Sequence, residues 1–220
     1  MLPINFSESA LLVVDVQQGF TTLCPNELPV PGGIEIVPTI NRLLALDWAR
    51  IDASQDWHPA DHRSFLGQAD NLYPPHCVQS TLGAEFAPGL DTHRFHAIWR
   101  KGYQRDFEAY AVTAQHPGMF ALYRDTRLPA PRASVGDSRG VPPTLARGAG
   151  KLNCVVICGI ATNICCFFAA RDFRQAGFRV VMVEDASAGI DVPAAGLFQV
   201  KAKNEGQSLG IEYVATAEFV

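Results

Sequence analysis

Short apolar runs alternate along the chain with segments whose apolar residues recur at helical spacing. The apolar runs are typical of buried strands and lie at 10–16, in a weaker stretch that ends near 55, and at 95–102, 155–157, 178–185 and 211–216. Helices are expected at 33–48, somewhere within 105–116, at 142–150, after 163 and at 193–206. Strands that alternate with helices predict an α/β fold with three layers, α/β/α, in which helices cover both faces of a mostly parallel sheet of about six strands. From its length, the chain 1–220 is expected to form a single domain.

The charges nearly balance, with 18 Lys and Arg against 22 Asp and Glu. Because no basic or acidic block stands out, neither nucleic acid nor a membrane surface is expected as the main partner. The N-terminal segment has no basic region and its apolar run is cut by Asp15, so a signal peptide is not expected. Gly159 and several polar residues interrupt the uncharged stretch 152–170, which we interpret as a strand followed by a helix rather than a membrane span.

The placement of the six cysteines argues against disulfides. Cys154 and Cys158 would lie about 13 Å apart in a strand, too far to be bridged. Cys165 and Cys166 are adjacent, and no C-x-x-C pair occurs that would favour a thiol-based metal or redox module. A reduced, cytoplasmic protein is therefore expected.

The segment 151–170 carries the candidate nucleophile. Its apolar run breaks at Gly159 and restarts as a helix, with Thr162 or Asn163 as the expected N-cap. Cys165 is thus expected in the first helical turn, where free N–H groups and the helix dipole lower the pKa of a thiol. The alternative is an inert core cysteine, since cysteine is among the most often buried residue types.

Charged residues end two of the predicted strands. Asp15 ends the run at 10–16, and Lys101 stands at the end of the run at 95–102. Open α/β sheets bind ligands beyond the carboxyl ends of their strands, so both side chains are candidates for a site. The alternatives are a turn aspartate and a lysine that extends to solvent.

A possible metal site begins with the D-x-H pair of Asp56 and His58, which follows the weaker strand. In extended geometry the two side chains point to one side and suit a divalent ion. A third ligand must come from elsewhere, and His62 and His76 are the candidates, with Ser64 as a contact through water.

Together these residues predict acyl transfer by a thiolate. Asp15 would carry the proton from the thiol to a leaving amine. Lys101 would favour the charged forms of Asp15 and Cys165. Backbone N–H groups at Ala161 and Cys165 would form the oxyanion hole.

Six ordered motifs that cover nearly the whole chain make this prediction more specific. They are VVDVQQGF (13–20), SQDWHPADHRSF (54–65), YPPHCVQSTLGAEF (73–86), RKG (100–102), GIATNICC (159–166) and VVMVEDASAGID (180–191). In these motifs the chain resembles the nicotinamidase group of the isochorismatase-like cysteine hydrolases. The resemblance implies a catalytic triad and a set of metal ligands, which fall on Asp15, Lys101 and Cys165 and on Asp56, His58 and His76.

The same resemblance implies the remaining features of the site. A cis peptide is expected between Ile160 and Ala161. Phe20 and Tyr73, with Ile160 and Ala161, are expected to line a pocket for a pyridine ring. The implied ion is divalent, with zinc favoured by the nitrogen and oxygen ligands and with iron or manganese as alternatives.

The implied activity is hydrolysis of nicotinamide to nicotinate and ammonia through a cysteine thioester, in NAD salvage. The rival function is that of another amidohydrolase of the same superfamily, acting on an N-carbamoyl or related amide. Whether the chain forms a homo-oligomer stays open.

Three positions depart from the pattern of the family. Asn163 stands where many members have Asp, and Tyr73 where many have Trp. The region 126–150 matches no pattern. His62 is ambiguous because metal coordination beyond three protein ligands varies among relatives.

Overall fold

Six strands form one parallel sheet in the computed structural model, which describes residues 3–125 and 150–219. The strands are β1 (Ser9–Val14), β2 (Arg50–Asp56), β3 (Ala97–Lys101), β4 (Cys154–Ile160), β5 (Arg179–Ala188) and β6 (Glu212–Val214). Their order across the sheet is β3-β2-β1-β4-β5-β6, and every neighbouring pair is parallel. The predicted α/β class with a parallel sheet is therefore confirmed.

The direction of this strand order reverses between β1 and β4. From β1 the chain proceeds outward to β2 and β3, whereas from β4 it proceeds the other way to β5 and β6. Because parallel crossovers are right-handed, the two halves place their connections on opposite faces of the sheet. The crevice beyond the carboxyl ends of β1 and β4 is the place where such sheets bind ligands.

Five helices accompany the sheet in the described residues: α1 (Val37–Leu44), α2 (Val112–Gln115), α3 (Gly118–Arg124), α4 (Phe167–Gln175) and α5 (Gln199–Ser208). α4 packs against both α2 and α5, while α1 packs against β5. The apolar spacing at 33–48 predicted α1 but overestimated its length. Most of the helix expected at 142–150 lies outside the described residues.

The helix expected within 105–116 is present but short, since it is α2 (Val112–Gln115) and begins only near the end of that range. The first residues of the range form a loop because their carbonyls accept hydrogen bonds from outside the segment. The Arg63 backbone N–H donates to Arg105 O (2.9 Å), its guanidinium donates to Asp106 O (3.0 Å), and His62 Nε2 lies 3.2 Å from Phe107 O. A helix needs those carbonyls for its own i to i+4 bonds.

The helix expected over 193–206 also starts later, at Gln199. A short 3₁₀ turn occupies Pro193–Ala195, and Gly196 then reverses the chain with a φ of 66°. Asp191 Oδ1 accepts a hydrogen bond of 2.7 Å from the Gln199 N–H. This bond satisfies one of the free N–H groups at the start of α5.

The sheet core brings β1 and β4 unusually close at their carboxyl ends. All residues of both strands are buried. Gly159 has a φ of 120°, and a side-chain Cβ at this position would lie 2.1 Å from Val14 O. Only glycine allows this approach, which sets the turn after β4 beside Asp15. The peptide bond between Ile160 and Ala161, one residue further along, is cis, as expected.

Two further sequence-based expectations concern membranes and disulfides. Within 3–125 and 150–219, no helix combines the length and the apolar character needed to cross a bilayer. All six cysteines carry free thiols.

Candidate active site

Cys165 lies in the tight turn that connects β4 to α4. This turn, Thr162–Cys166, has π-helical hydrogen bonding, and the regular helix begins only at Phe167. The expected N-cap is wrong, because neither Thr162 nor Asn163 caps the turn: Ala161 stands at the N-cap position without a side-chain bond. Cys165 is nevertheless presented at the crevice and lines a pocket there.

Lys101 joins the candidate catalytic groups at one point. Its side chain is 1% exposed, so the alternative of a lysine that extends to solvent is wrong. Its ammonium lies 2.9 Å from Asp15 Oδ2, 2.5 Å from Asp56 Oδ1 and 3.4 Å from Cys165 Sγ. Burial of this cation is tolerated because two carboxylates face it.

Asp15 follows β1 directly and is held in an unusual conformation. Its φ is 49°, in the left-handed region that non-glycine residues seldom occupy. The Ser54 hydroxyl donates to Asp15 Oδ1 at 2.7 Å, and the Asp15 N–H donates to Ser54 O at 3.2 Å. Both bonds fix the carboxylate against the Lys101 ammonium, at the strand end where Asp15 was expected to face the crevice.

Burial is the largest influence on the pKa of the candidate nucleophile, Cys165. It raises the pKa of the Cys165 thiol well above the ordinary value, and the Lys101 ammonium only partly offsets this effect. The expected lowering of the pKa of Cys165 is therefore wrong, since the helix end is buried beside two carboxylates. Burial also raises the pKa of Asp15, against the opposing effect of Lys101.

Asp56, His58 and His76 form a buried group whose ligand atoms all lie within 4.8 Å of one another. Asp56 ends β2, while both histidines come from the long connection between β2 and β3. Backbone bonds hold this connection together: the His58 N–H donates to Cys77 O (3.1 Å) and the Gln79 N–H donates to His58 O (2.8 Å). These bonds place His76 beside His58, with ring centroids 5.0 Å apart.

Both imidazoles of this group are oriented as metal ligands. His58 Nδ1 lies 3.0 Å from Gly102 O, and His76 Nδ1 lies 2.8 Å from Pro74 O. Because carbonyls only accept, each Nδ1 carries a proton, which leaves Nε2 as the nitrogen that can bind an ion once it is unprotonated. Burial and the neighbouring His58 lower the pKa of His76 to about 3, so this imidazole is neutral as a ligand must be. The three residues fit a divalent ion.

Asp56 and His58 each shift the pKa of the other toward its charged form. Burial alone would raise the pKa of Asp56, but Lys101 and His58 outweigh it and lower the pKa below its usual range. Burial alone would lower the pKa of His58, but Asp56 raises it. Asp56 is thus ionised and available as an anionic ligand.

His62 and Ser64 contact each other rather than joining this group. His62 Nδ1 lies 2.8 Å from Ser64 Oγ, and His62 Nε2 faces the carbonyl of Phe107. The His62 ring stacks near that of His58 with 4.2 Å between centroids. His62 therefore lies behind His58, with both of its nitrogens engaged.

One pocket opens onto the nucleophile and the candidate metal ligands together. It is lined by Phe20, Leu28, Val30, Asp56, His58, Tyr73, His76, Lys101, Glu108, Tyr110, Ala161, Ile164, Cys165 and Ile190. Of the expected ring contacts, Phe20, Tyr73 and Ala161 lie in this lining, whereas Ile160 is fully buried in the core.

Sequence reasoning missed several residues of this wall. Glu108 and Tyr110 fall in the segment that was expected to include a helix, and the Tyr110 hydroxyl lies 3.0 Å from that of Tyr73. Ile190 was part of a matched motif without a role. The available signal was an acidic residue close to an aromatic one, but the helix expected within 105–116 gave them no role at a site.

Asn163 connects the nucleophile turn to this wall. Its side-chain amide donates to Ile190 O at 2.9 Å, while its carbonyl oxygen accepts from the Ile190 N–H at 3.2 Å. An aspartate, which the family resemblance led us to expect here, offers no donor for the first of these bonds. The Asn163 amide, where this chain departs from the family pattern, therefore makes a contact with Ile190 that an aspartate could make only in part.

Comparison with known proteins identifies the family of this chain. The Isochorismatase domain model matches residues 145–208. The chain is 33% identical to the nicotinamidase of Acinetobacter baylyi over 83% of its own length and 82% of that relative. Two solved structures have similar folds. PnC1 from L. infantum in complex with nicotinate has a TM-score of 0.79 and 28% identity, covering 100% of this chain and 98% of that one.

The second structure is the pyrazinamidase of Pyrococcus horikoshii in complex with zinc. It has a TM-score of 0.72 and 31% identity, and the match covers 94% of this chain and 99% of that one. Identity at this level over most of both chains, on the same fold, establishes common family membership. The chain therefore belongs to the nicotinamidase family, within the isochorismatase-like hydrolases.

Proposed function

We propose that this protein hydrolyses nicotinamide to nicotinate and ammonia through a thioester on Cys165. The observation that carries the proposal is the Lys101 ammonium, which contacts both Asp15 Oδ2 and Cys165 Sγ at the edge of the pocket. A thiol, a carboxylate and a buried cation thus meet at one edge of a pocket that is flanked by aromatic side chains. The relatives named above support nicotinamide as the substrate.

Acylation begins with a neutral thiol, since burial raises the pKa of Cys165. Asp15 accepts the thiol proton as the sulfur attacks the carboxamide carbon. The same proton passes from Asp15 to the amide nitrogen, the C–N bond breaks, and ammonia leaves. Lys101 stays beside both groups and stabilises the negative charge as it moves between them.

Deacylation repeats the same proton path with water. Asp15 takes a proton from a water molecule, whose oxygen attacks the thioester carbon. The C–S bond breaks, and the proton on Asp15 returns to the sulfur. The product leaves as nicotinic acid, which loses its remaining proton to solvent and becomes nicotinate, and the resting thiol and carboxylate are restored.

The negative oxygen of each tetrahedral intermediate needs donors at the turn after β4. The backbone N–H groups of Ala161 and Cys165 are the candidates, because both residues line the pocket beside the sulfur. Removal of one such donor in a hydrolase typically costs about 10²–10³ in kcat. Phe20 and Tyr73 flank the space for the ring.

Asp56, His58 and His76 would hold a divalent ion, with zinc favoured by one carboxylate and two imidazoles. When bound, such an ion offers a position for the pyridine nitrogen and so orients the ring. We assign the reaction to NAD salvage in the cytoplasm, with a small neutral amide as the partner.

The test is ammonia release from nicotinamide by the metal-loaded protein and two matched variants. Cys165→Ala should lose activity by several orders of magnitude, because the bond-forming sulfur is gone. Cys166→Ala removes the adjacent buried thiol, which does not line the pocket, and should retain activity within about tenfold. Equal losses in both variants, or faster turnover of an N-carbamoyl amino acid than of nicotinamide, would refute the proposal.

A further inference from the structure

Glu108 places a carboxylate in the pocket wall that the proposed reaction does not use. It lines the same pocket as Cys165 and His58. Its side chain is 20% exposed, so it lies closer to solvent than the buried sulfur. One carboxylate oxygen accepts a hydrogen bond of 2.9 Å from the Ala109 N–H, and the other lies 3.9 Å from His62 Nδ1. The carboxylate is thus fixed at the outer part of the pocket.

The cations around Glu108 are engaged by other acids. Lys101 is the one lysine or arginine among the described residues that line the pocket, and two buried carboxylates hold it. The charge of Arg63 also reaches Glu108, but its guanidinium donates to both oxygens of Asp70 at 2.7 and 2.8 Å. Within the described chain, Glu108 also lies outside the groups whose ligand atoms are close enough to share an ion.

We propose that Glu108 sets the charge preference of the pocket: it favours neutral amides over ligands that carry a carboxylate. The inference rests on the proposed function, in which the substrate is neutral and the product is an anion. A fixed negative charge in the wall leaves the binding of a neutral amide nearly unchanged. It weakens the binding of the carboxylate product and of amides that bear a second, acidic group.

The size of the effect follows from the screened repulsion of two charges. For a partly exposed carboxylate several ångströms from a bound anion, the repulsion corresponds to roughly a three- to tenfold weaker affinity. A neutral ligand of the same shape does not experience this repulsion. The ratio of the two affinities therefore isolates the charge of Glu108 from its packing.

The experiment compares binding of nicotinamide and nicotinate to metal-loaded protein in a Cys165→Ala background, where the amide is not turned over. Glu108→Gln keeps the shape of the side chain and an oxygen for the Ala109 N–H, but removes the charge. Calorimetry should show that the Kd of nicotinate falls roughly three- to tenfold in Glu108→Gln. The Kd of nicotinamide should stay within about a factor of two.

Asp106→Asn is the matched control, because it removes the same charge two residues away on a side chain that is 76% exposed. It should leave the affinity ratio unchanged. High salt should reduce the difference in the Kd of nicotinate between the protein that keeps Glu108 and the Glu108→Gln variant. Equal shifts for both ligands, no shift for nicotinate, or the same shift in Asp106→Asn would overturn the inference. Failure of the proposed function is a separate result, namely that the protein with Cys165 intact releases no ammonia from nicotinamide.

Discussion

At the scale of single residues, the site places a thiol and a carboxylate beside the same buried lysine ammonium. The Lys101 ammonium bridges Asp15 and Cys165, and it also contacts Asp56. Burial raises the pKa of both Cys165 and Asp15, so each group is closer to its neutral form than it would be in water. In the proposed mechanism, this arrangement would keep the proton between the two groups until a substrate excludes water and the sulfur attacks.

The proton acceptor leads to a prediction about pH. Asp15 must be ionised to accept the thiol proton, so kcat/KM falls as the pH drops through the pKa of Asp15 in the free enzyme. Because burial raises this pKa above 3.8, the acid limb lies at higher pH than for an ordinary aspartate. The Ser54 hydroxyl bond to Asp15 lowers the pKa. Ser54→Ala should therefore move the acid limb to still higher pH.

The measurement is the pH profile of kcat/KM for nicotinamide in both proteins, with the metal content checked at each pH. Ser9→Ala is the matched control, because Ser9 is also a buried serine but lies at the opposite end of β1. Its acid limb should coincide with that of the unmodified enzyme. An acid limb that stays in place or moves to lower pH in Ser54→Ala would contradict the role given to Asp15.

At the scale of elements, the site depends on contacts between loops rather than on regular helices. The turn Thr162–Cys166 carries the nucleophile, and the segment after β5 carries Ile190 in the pocket wall. Asn163 connects the two through its pair of hydrogen bonds with the Ile190 backbone. The wall beside the substrate is thus held by the same turn that positions Cys165.

This contact predicts the effect of Asn163→Asp. The carboxylate keeps an acceptor for the Ile190 N–H but loses the donor to Ile190 O and sets two oxygens against each other. Loss of such a buried bond costs about 1–2 kcal/mol, and the wall is expected to shift. The KM for nicotinamide should rise a few-fold to about tenfold with little change in kcat, since no reacting group is removed.

Asn41 offers a matched control for that variant. Its side chain makes the same pair of bonds on the surface, donating to Gly89 O (2.7 Å) and accepting from the Asp91 N–H (3.0 Å). Asn41→Asp should leave both kinetic constants unchanged. A drop in kcat with an unchanged KM in Asn163→Asp would show that Asn163 acts on the nucleophile and not on the wall.

How much of this molecule can be predicted from the sequence differs between its strands and its loops. Strand ends are set by local apolar patterns, so Asp15 and Lys101 were correctly expected at the carboxyl edge of the sheet. The loop that carries Glu108 was not predicted, because its conformation depends on bonds from His62 and Arg63, more than 40 residues earlier. Local patterns contain no information about such distant partners.

The expectation that the pKa of Cys165 is lowered was wrong for a related reason. Position at the start of a helix is a local property, and it favours the thiolate. Burial beside Asp15 and Asp56 is a property of the folded chain, and here it is the larger effect. The reversal of strand order that brings these residues together is likewise a result of the whole topology.

At the scale of the whole molecule, the connection from β2 to β3 is the longest described segment without an α-helix. It contains His58 and His76 and packs around the carboxyl edge of the sheet. Backbone bonds at His58 and Ser64 hold it, including those from Leu72 and Tyr73 to Ser64 O, both 3.0 Å. An ion on Asp56, His58 and His76 would join this segment to the end of β2 and restrain it further.

Metal loading should therefore raise the thermal stability of the fold. A ligand that binds only the folded chain at 100 times its Kd stabilises it by about 2.7 kcal/mol. For a chain of this length that corresponds to an increase in Tm of about 5–10 °C. We expect this difference between chelator-treated and zinc-loaded protein, with about one equivalent of bound ion by elemental analysis.

His58→Ala should lose both the bound ion and the increase in Tm. If this variant folds poorly by circular dichroism, His76→Ala serves in its place and should show the same two losses. His93→Ala, on an exposed turn outside the ligand group, should behave as the unmodified protein does. Full occupancy in both ligand variants would mean that the ion binds elsewhere, because neither remaining pair of side chains completes the site.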